Sequence, residues 1–383
     1  MKKLSTAVCL IIFIIISGNL YAQADDLVSE LKEYIEENHV LPEAYVIDKF
    51  ADHDVVILGE THRIKHNVEF VQDLIPLLYD NGIYYLGTEF ARREDQSLID
   101  SLLAGEVYDE ALARHITFLS FVEWGYQEYV DIFKAAWQLN HRLDDDSRKF
   151  RILALNDSPD WSHLKSDADR DDNEVMQQVW KGGGEHLWAR RILDSVVIKN
   201  EKILVYCGMH HAFSKYKQPI VVNGEFIRFD ESRMGNHLYD SLGERVMTIC
   251  LHFAWPGSGG YDGEMVHAGD GIIDRLISQL DPKYDRAGFD THGTPFEKVT
   301  GENSVYKHGY DNFTLATFCD GYIIEKKLSD YEGVTPISDF INDENIDFAR
   351  RQSPNPDFRA KSVQDFNRSI LNSTRIENQI PRE

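Results

Sequence analysis

The chain is predicted to fold as an α/β protein, a mainly parallel sheet with helices on both faces and a cleft at the carboxyl ends of its strands. Short apolar runs alternate with amphipathic stretches of helical length, the rhythm of strands joined by helical crossovers. The runs are continuous in apolar residues, as in strands covered on both sides. Size agrees: 383 residues, 43% hydrophobic and 27% charged, supply material for a large core. Lys+Arg of 40 against Asp+Glu of 64 gives a net charge of -24, a surface that repels phosphate backbones and sets nucleic acid aside as a partner.

Taken in order, residues 1–24 read as a signal peptide: Lys2 and Lys3, the apolar run Ala7 to Ile16, then small residues and a cleavage site ending at Ala22 or Ala24. Ser17, Gly18 and Asn19 interrupt the run before the roughly 18 residues that a membrane span needs. The expectation is a periplasmic or secreted chain with no integral membrane segment in its mature form. Val55 to Leu58 then read as a strand and Val68 to Leu78 as a helix; Ile83 to Leu86 as a strand, with helices at Leu98 to Leu103 and Tyr126 to Leu139. Phe150 to Leu155 is the next strand, followed by a helical stretch from Glu174 to Ile198 broken at Gly182-Gly183-Gly184, and by the strand Ile203 to Cys207. Ile220 to Phe229 and Val246 to Phe253 are further strands, and Tyr322-Ile323-Ile324 a late one. No Pro/Ser-rich linker divides residues 25–350, so one domain is expected there, with residues 351–383 a polar, loosely packed tail. Cys207, Cys250 and Cys319 have no close spacing, which argues against a thiolate zinc site.

The strongest local signal is Gly59-Glu60-Thr61-His62, directly after a strand. Ligands of parallel sheets bind beyond the carboxyl ends of the strands, so this turn brings an acid and an imidazole to the rim where chemistry is usually done. A helix starting near Thr61 would set His62, His66 and Glu69 on one face, where two histidines one turn apart can grip an ion; for His66 and Glu69, ordinary helix positions are the preferred reading. Gly87-Thr88-Glu89-Phe90 ends the second strand and puts Glu89 at the same rim if the two strands are neighbours. Gly208-Met209-His210-His211 ends another; one of the two histidines faces the site, and analogy with the first turn selects His211, with His210 in reserve. Asp157, after the strand Phe150 to Leu155, reads equally as a rim residue or as a cap on the following turn. Arg190 or Arg191 could anchor a carboxylate or phosphate, although a solvated helix face is the default. Serine-hydrolase and dinucleotide motifs are absent: Pro256 stands where the first glycine of a G-x-S-x-G elbow would be, and no G-x-G-x-x-G follows a strand.

These residues resemble a known superfamily, the one joining erythromycin esterases, Tiki/TraB metalloprotease-like proteins and ChaN-like haem-binding uptake proteins. The resemblance rests on Val55 to His62, Leu86 to Phe90 and Val205 to Ala212, and spans roughly residues 50–215. It implies an α/β sheet with a cleft lined by Glu60, His62, Glu89 and His211. In the esterase branch it implies a histidine that activates water; in the Tiki-like branch, a divalent metal and peptide hydrolysis; in the ChaN-like branch, haem. The chain departs from the esterase pattern, which has one more residue between Glu and His and a glycine after the His, where Thr61 and Arg63 stand here.

The leading expectation is a hydrolase of ester or peptide bonds acting on a small-molecule or peptide substrate. His62, positioned by Glu60 or Glu89, deprotonates water directly or through a divalent metal ion held by His62, His211 and Glu89, with His66 a further candidate ligand, and His211 completes the site. The alternative is a haem- or metal-binding uptake protein without turnover, in which the same histidines are ligands.

Overall fold

A computed structural model describes residues 24–381; the predicted signal peptide lies outside them but for Ala24. Strands β1 (Val55–Glu60), β2 (Tyr85–Arg92), β3 (Arg151–Asn156) and β4 (Ile203–Gly208) come first. A hairpin of β5 (Gln218–Val222) and β6 (Glu225–Asp230) follows, then β7 (Val246–Leu251), the short pair β8 (Trp255–Pro256) and β9 (Met265–Val266), and finally β10 (Ala287–Asp290) and β11 (Gly321–Ile324). β1, β2, β3, β4, β7, β10 and β11 form one sheet in the order β10-β11-β7-β1-β4-β2-β3, parallel except for β10. The predicted α/β class is the observed one.

The continuous apolar runs are explained by a core on each face. Successive side chains of a strand point to opposite sides. Val56 and Leu58 of β1 therefore join one cluster, with helices α1 (Lys65–Asp80) and α2 (Gln127–Arg142), while Val55 and Ile57 join another on the reverse face. The stretch from Glu174 is broken at the three glycines, as its sequence predicts, into α3 (Asn173–Trp180) and α4 (Glu185–Ser195). Trp188, Ala189 and Ile192 of α4 pack into the second core together with Val28, Leu31 and Ile35 of a helix at residues 24–37.

Two segments differ from expectation. Ile220 to Phe229 is not one strand: the chain reverses at Asn223-Gly224, both with positive φ (52° and 78°), into the β5–β6 hairpin outside the main sheet. Asn-Gly suits the primed turn that a tight hairpin needs. The polar tail is also ordered into packing. A helix over Val363–Ser373 starts on a capping box of Ser362 and Asp365 and buries Phe366 and Ile370 in the first core, at 0% and 1% exposure. Few apolar residues suffice because these two sit four apart, on one helix face.

Candidate functional site

The carboxyl ends of β1, β4 and β2 bring together Glu60, His62, Glu89 and His211. Register arranges this, since Glu60 pairs level with Gly208 and Thr88 with Tyr206. One premise is corrected: β1 and β2 are not neighbours, because β4 runs between them. Glu89 reaches the site across the end of β4, its Oε2 accepting the Gly208 N–H at 2.8 Å.

Glu60 lies on the same side of β1 as Val56 and Leu58, facing α2. There it is 1% exposed, and its carboxylate accepts the Tyr129 hydroxyl at 2.7 Å, the Tyr206 hydroxyl, and His62 Nδ1–H at 2.9 Å. A carboxylate only accepts, so the His62 proton sits on Nδ1 and Nε2 is left facing Glu89, 3.5 Å from Oε1. Burial pushes the Glu60 carboxyl above its usual range, against the pull of His62 and the two tyrosines. Burial also opposes charge on His62, yet Glu89 and then Glu60 outweigh it and raise its pKa.

His211 mirrors His62. Its Nε2 is 3.7 Å from Glu89 Oε2, and its Nδ1 is 2.9 Å from Glu185 Oε2, an ion-pair contact outside hydrogen-bond geometry. Glu185, the first residue of α4, accepts Arg233 Nη1–H at 2.9 Å and the Met234 N–H at 2.7 Å. Burial works against its charge, but His211 and Arg233 hold its carboxyl down at about 2. Burial likewise opposes charge on His211, and Glu89 and Glu185 outweigh it, so its pKa is raised. The result is a line of alternating acids and imidazoles: Glu60, His62, Glu89, His211, Glu185.

Two lobes of a cleft flank this line. One, about 180 Å³, is bounded by Glu60, His62, Gly208, His210, His211 and Tyr306. The other, about 190 Å³, is bounded by His62, Glu89, Phe90, Phe121, Trp124 and Asn156. His62 meets Trp124 and Phe90 edge to face, with ring centres 5.1 and 5.8 Å apart, and keeps 34% of its side chain exposed. Backbone shape makes room for the imidazole: a Cβ on Gly208 would stand 2.7 Å from His62 Cε1. Arg63, just past the histidine, has φ 71°, and its N–H donates at 3.0 Å to the same Tyr129 hydroxyl that holds Glu60.

Other predicted residues fall elsewhere. His66 does not join the site, because α1 begins at Lys65 and His62 precedes it on a turn, so helical spacing does not link the two. His66 instead lies 6% exposed against Tyr331, both ring nitrogens without a hydrogen-bond partner, and burial with nearby Lys326 lowers its pKa to about 3. Of the histidine pair, His211 faces Glu89, whereas His210 turns to the Tyr306 hydroxyl at 3.0 Å, its pKa lowered to about 3 by burial and Arg233. Asp157 is neither a rim ligand nor a turn cap: it ties Arg93, the Gly184 N–H at 2.8 Å and Trp188 Nε1–H at 3.2 Å together. Arg190 is solvated, and Arg191 turns inward to Gln96 at 2.8 Å. Among the described residues, no group of three or more His, Cys, Asp or Glu is arranged to hold a metal ion, and no helix is long and apolar enough to cross a membrane. Sequence reasoning passed over Tyr129, Tyr206, Glu185 and Trp124. Only Glu185 carried a local signal, as the acid that follows the three-glycine break.

Residues 46–160 match a family model described as haem-binding uptake, Tiki superfamily, ChaN. The match bears out the resemblance over that stretch, which contains Glu60, His62, Glu89 and the aromatic wall through Trp124. No curated protein matches the chain. Among solved structures it is similar to a Bacillus cereus protein at 13% identity, over 77% of this chain and 96% of that one, with a TM-score of 0.45. It is also similar to the ChaN of Campylobacter jejuni, described with cofacial haem binding, at 15% identity over 56% and 88% of the two chains and a TM-score of 0.36. A third is RRSP, a toxin effector domain of Vibrio vulnificus, at 18% identity over 58% and 37% and a TM-score of 0.35.

Proposed function

We propose that the cleft binds haem, with His62 as the side chain offered to the iron. The observation that carries this is an imidazole backed at Nδ1 by the buried Glu60 carboxylate and walled by Phe90, Phe121 and Trp124. The donor set fits the group: histidine is a usual ligand of haem iron, and a carboxylate behind it would fix the tautomer and make the free nitrogen more basic. The aromatic wall offers apolar surface to a flat macrocycle, and the family description attached to residues 46–160 supports the same ligand. His211, whose Nδ1 lies 2.9 Å from Glu185 in an ion-pair contact and not a hydrogen bond, is the second imidazole at hand. When bound, haem would supply its own redox or ligand-carrying chemistry; the chain supplies the imidazole, its orientation and a partly dry wall. Iron takes the neutral imidazole, and the His62 pKa is raised, so affinity should increase as pH rises through that value.

The test is a haemin titration followed by Soret absorbance. Wild type should give a saturable red shift that His62→Ala loses while keeping its far-ultraviolet circular dichroism. No saturable shift in wild type, or the same shift in His62→Ala, would sink the proposal.

A second reading, hydrolysis of an ester or peptide bond, is favoured by one observation: Glu89 stands between the Nε2 atoms of His62 and His211. An imidazole oriented by one carboxylate and bordered by another is equipped to take a proton from water. His62 would be the base, Glu60 its positioning residue, and protonated His211 a donor to the developing oxyanion. Turnover of p-nitrophenyl esters or a peptide library by wild type and not by His62→Ala, unaffected by chelator, would establish it; no turnover of any substrate would set it aside.

A further inference from the structure

A third cavity, about 420 Å³, adjoins the aromatic lobe through Asn156, which borders both. Arg93, Asp157, Ser158, Trp180 and Lys181 line it as well. Cationic groups meeting in a hollow are out of character for a chain of net charge -24. The acids of the lining are already matched. Both Asp157 oxygens are taken, one by Arg93 and the other by Gly184 N–H and Trp188 Nε1–H. Glu94, also in the lining, pairs with Arg92 at 3.1 Å.

The donors are not all matched. Arg93 Nε and Arg191 Nε are buried with no hydrogen-bond partner among the described residues. Arg191 stands behind the wall and not in it: one helical turn beyond Leu187 it donates to Gln96 at 2.8 Å, and burial and the charge of Arg93 hold its pKa below the usual value. Buried donors left unpaired ask for an acceptor, and guanidinium groups pair best with planar anions. Lys181, held in the left-handed region at φ 52° after α3, adds an ammonium group that is 57% exposed and whose three donors are not exhausted by its ion pair with Asp160 Oδ2 at 3.5 Å. Trp180, 37% exposed, leaves an aromatic surface beside these cations.

We propose that this cavity is an anion subsite that takes a carboxylate of the ligand held at His62, through Arg93 and Lys181, with Trp180 against the adjoining apolar part. The inference deepens the proposed function, since haem carries two carboxylate arms, and rests on it for the ligand's identity only.

The full chain is titrated with succinate, with inorganic phosphate and with haemin, following tryptophan fluorescence and Soret absorbance. Succinate should give a saturable fluorescence change that Trp180→Phe removes. Lys181→Glu, a change at an exposed position, should weaken succinate and haemin about tenfold or more each, the scale of one lost charge-assisted hydrogen bond, and leave the Soret position unchanged. No saturable response to succinate in wild type, or affinities unchanged in Lys181→Glu, overturns the subsite, as does phosphate binding much more tightly than succinate. The two proposals fail separately. Succinate binding without haemin binding removes haem and keeps the subsite; haemin binding equally to all variants, with succinate silent, does the reverse.

Discussion

Tyr206→Phe isolates the feature on which the site is built, the buried Glu60 carboxylate. The substitution removes one oxygen from a fully buried ring and leaves the packing volume nearly unchanged, so its cost is the hydrogen bond to Glu60 Oε2. A bond to a charged group is worth about 1.5–3 kcal/mol, and here the abandoned oxygen has no water to turn to. The deficit should depend on pH. Burial already holds the Glu60 pKa above its unfolded value, and losing a donor to the anion raises it further. Below about pH 4.3, the unfolded carboxyl value, Glu60 is protonated folded and unfolded, and the variant lacks only a neutral contact of about 1 kcal/mol. As pH rises through the folded pKa, the fold must carry the anion with one donor fewer, and the deficit grows to about 2–3 kcal/mol. Urea unfolding of both proteins at pH 4 and pH 8, compared at equal m-value, measures the difference. A deficit of the same size at the two pH values would refute the claim that the Tyr206 hydroxyl supports an ionisable Glu60.

Three further outcomes follow from the same geometry. The pKa values of His62 and His211 are raised with Glu89 among the causes, so the stability they contribute is fully present below about pH 6.5 and is lost as pH rises through their folded values; Glu89→Gln should flatten that decline between pH 6 and 9, and an unchanged slope would show that Glu60 and Glu185 alone set it. Gly208→Ala keeps an allowed backbone at φ -57° but places a Cβ 2.7 Å from His62 Cε1; it should cost about 1–3 kcal/mol and reduce the haemin Soret shift at least tenfold in affinity, and full retention would mean that His62 can turn aside without consequence. Phe366→Ala should destabilise the chain by about 3–5 kcal/mol, the range for a buried aromatic; a loss under about 1 kcal/mol in urea unfolding would return residues 351–383 to the status of a loose tail.

The parts legible in the sequence are those decided locally. Strand ends announce themselves where an apolar run meets glycine, and at β1 and β4 that junction exposed Glu60, His62 and His211, because a parallel sheet delivers such junctions to the same edge; β2 runs on past Gly87 to Arg92, so Glu89 lies within its strand and not at the end expected for it. The helix break at Gly182-Gly183-Gly184 was legible for the same reason. Signals of this kind were also outweighed: Asn223-Gly224 marks the hairpin, and Ser362 with Asp365 marks the last helix, but an apolar run in one case and a polar composition in the other read more strongly.

What stayed hidden depends on strand order and on turns with unusual backbone. Tyr129 and Tyr206 lie 69 and 146 positions from Glu60 along the chain, and nothing near either residue shows that they meet. Their meeting requires β4 to stand beside β1 and α2 to cover that face, a fact of topology. The grouping of His66 with His62 failed over a single residue: Arg63 at φ 71° interposes a turn, the helix starts at Lys65, and a four-residue spacing that looks helical spans a corner instead. The corner also serves the site, because it aims the Arg63 N–H at the Tyr129 hydroxyl, leaving that hydroxyl's proton for Glu60. A regular helix from Thr61 would spend the Arg63 amide differently and turn His62 along the helix face. The irregularity that defeats the helical pattern is therefore the one that sets the imidazole against its buried carboxylate.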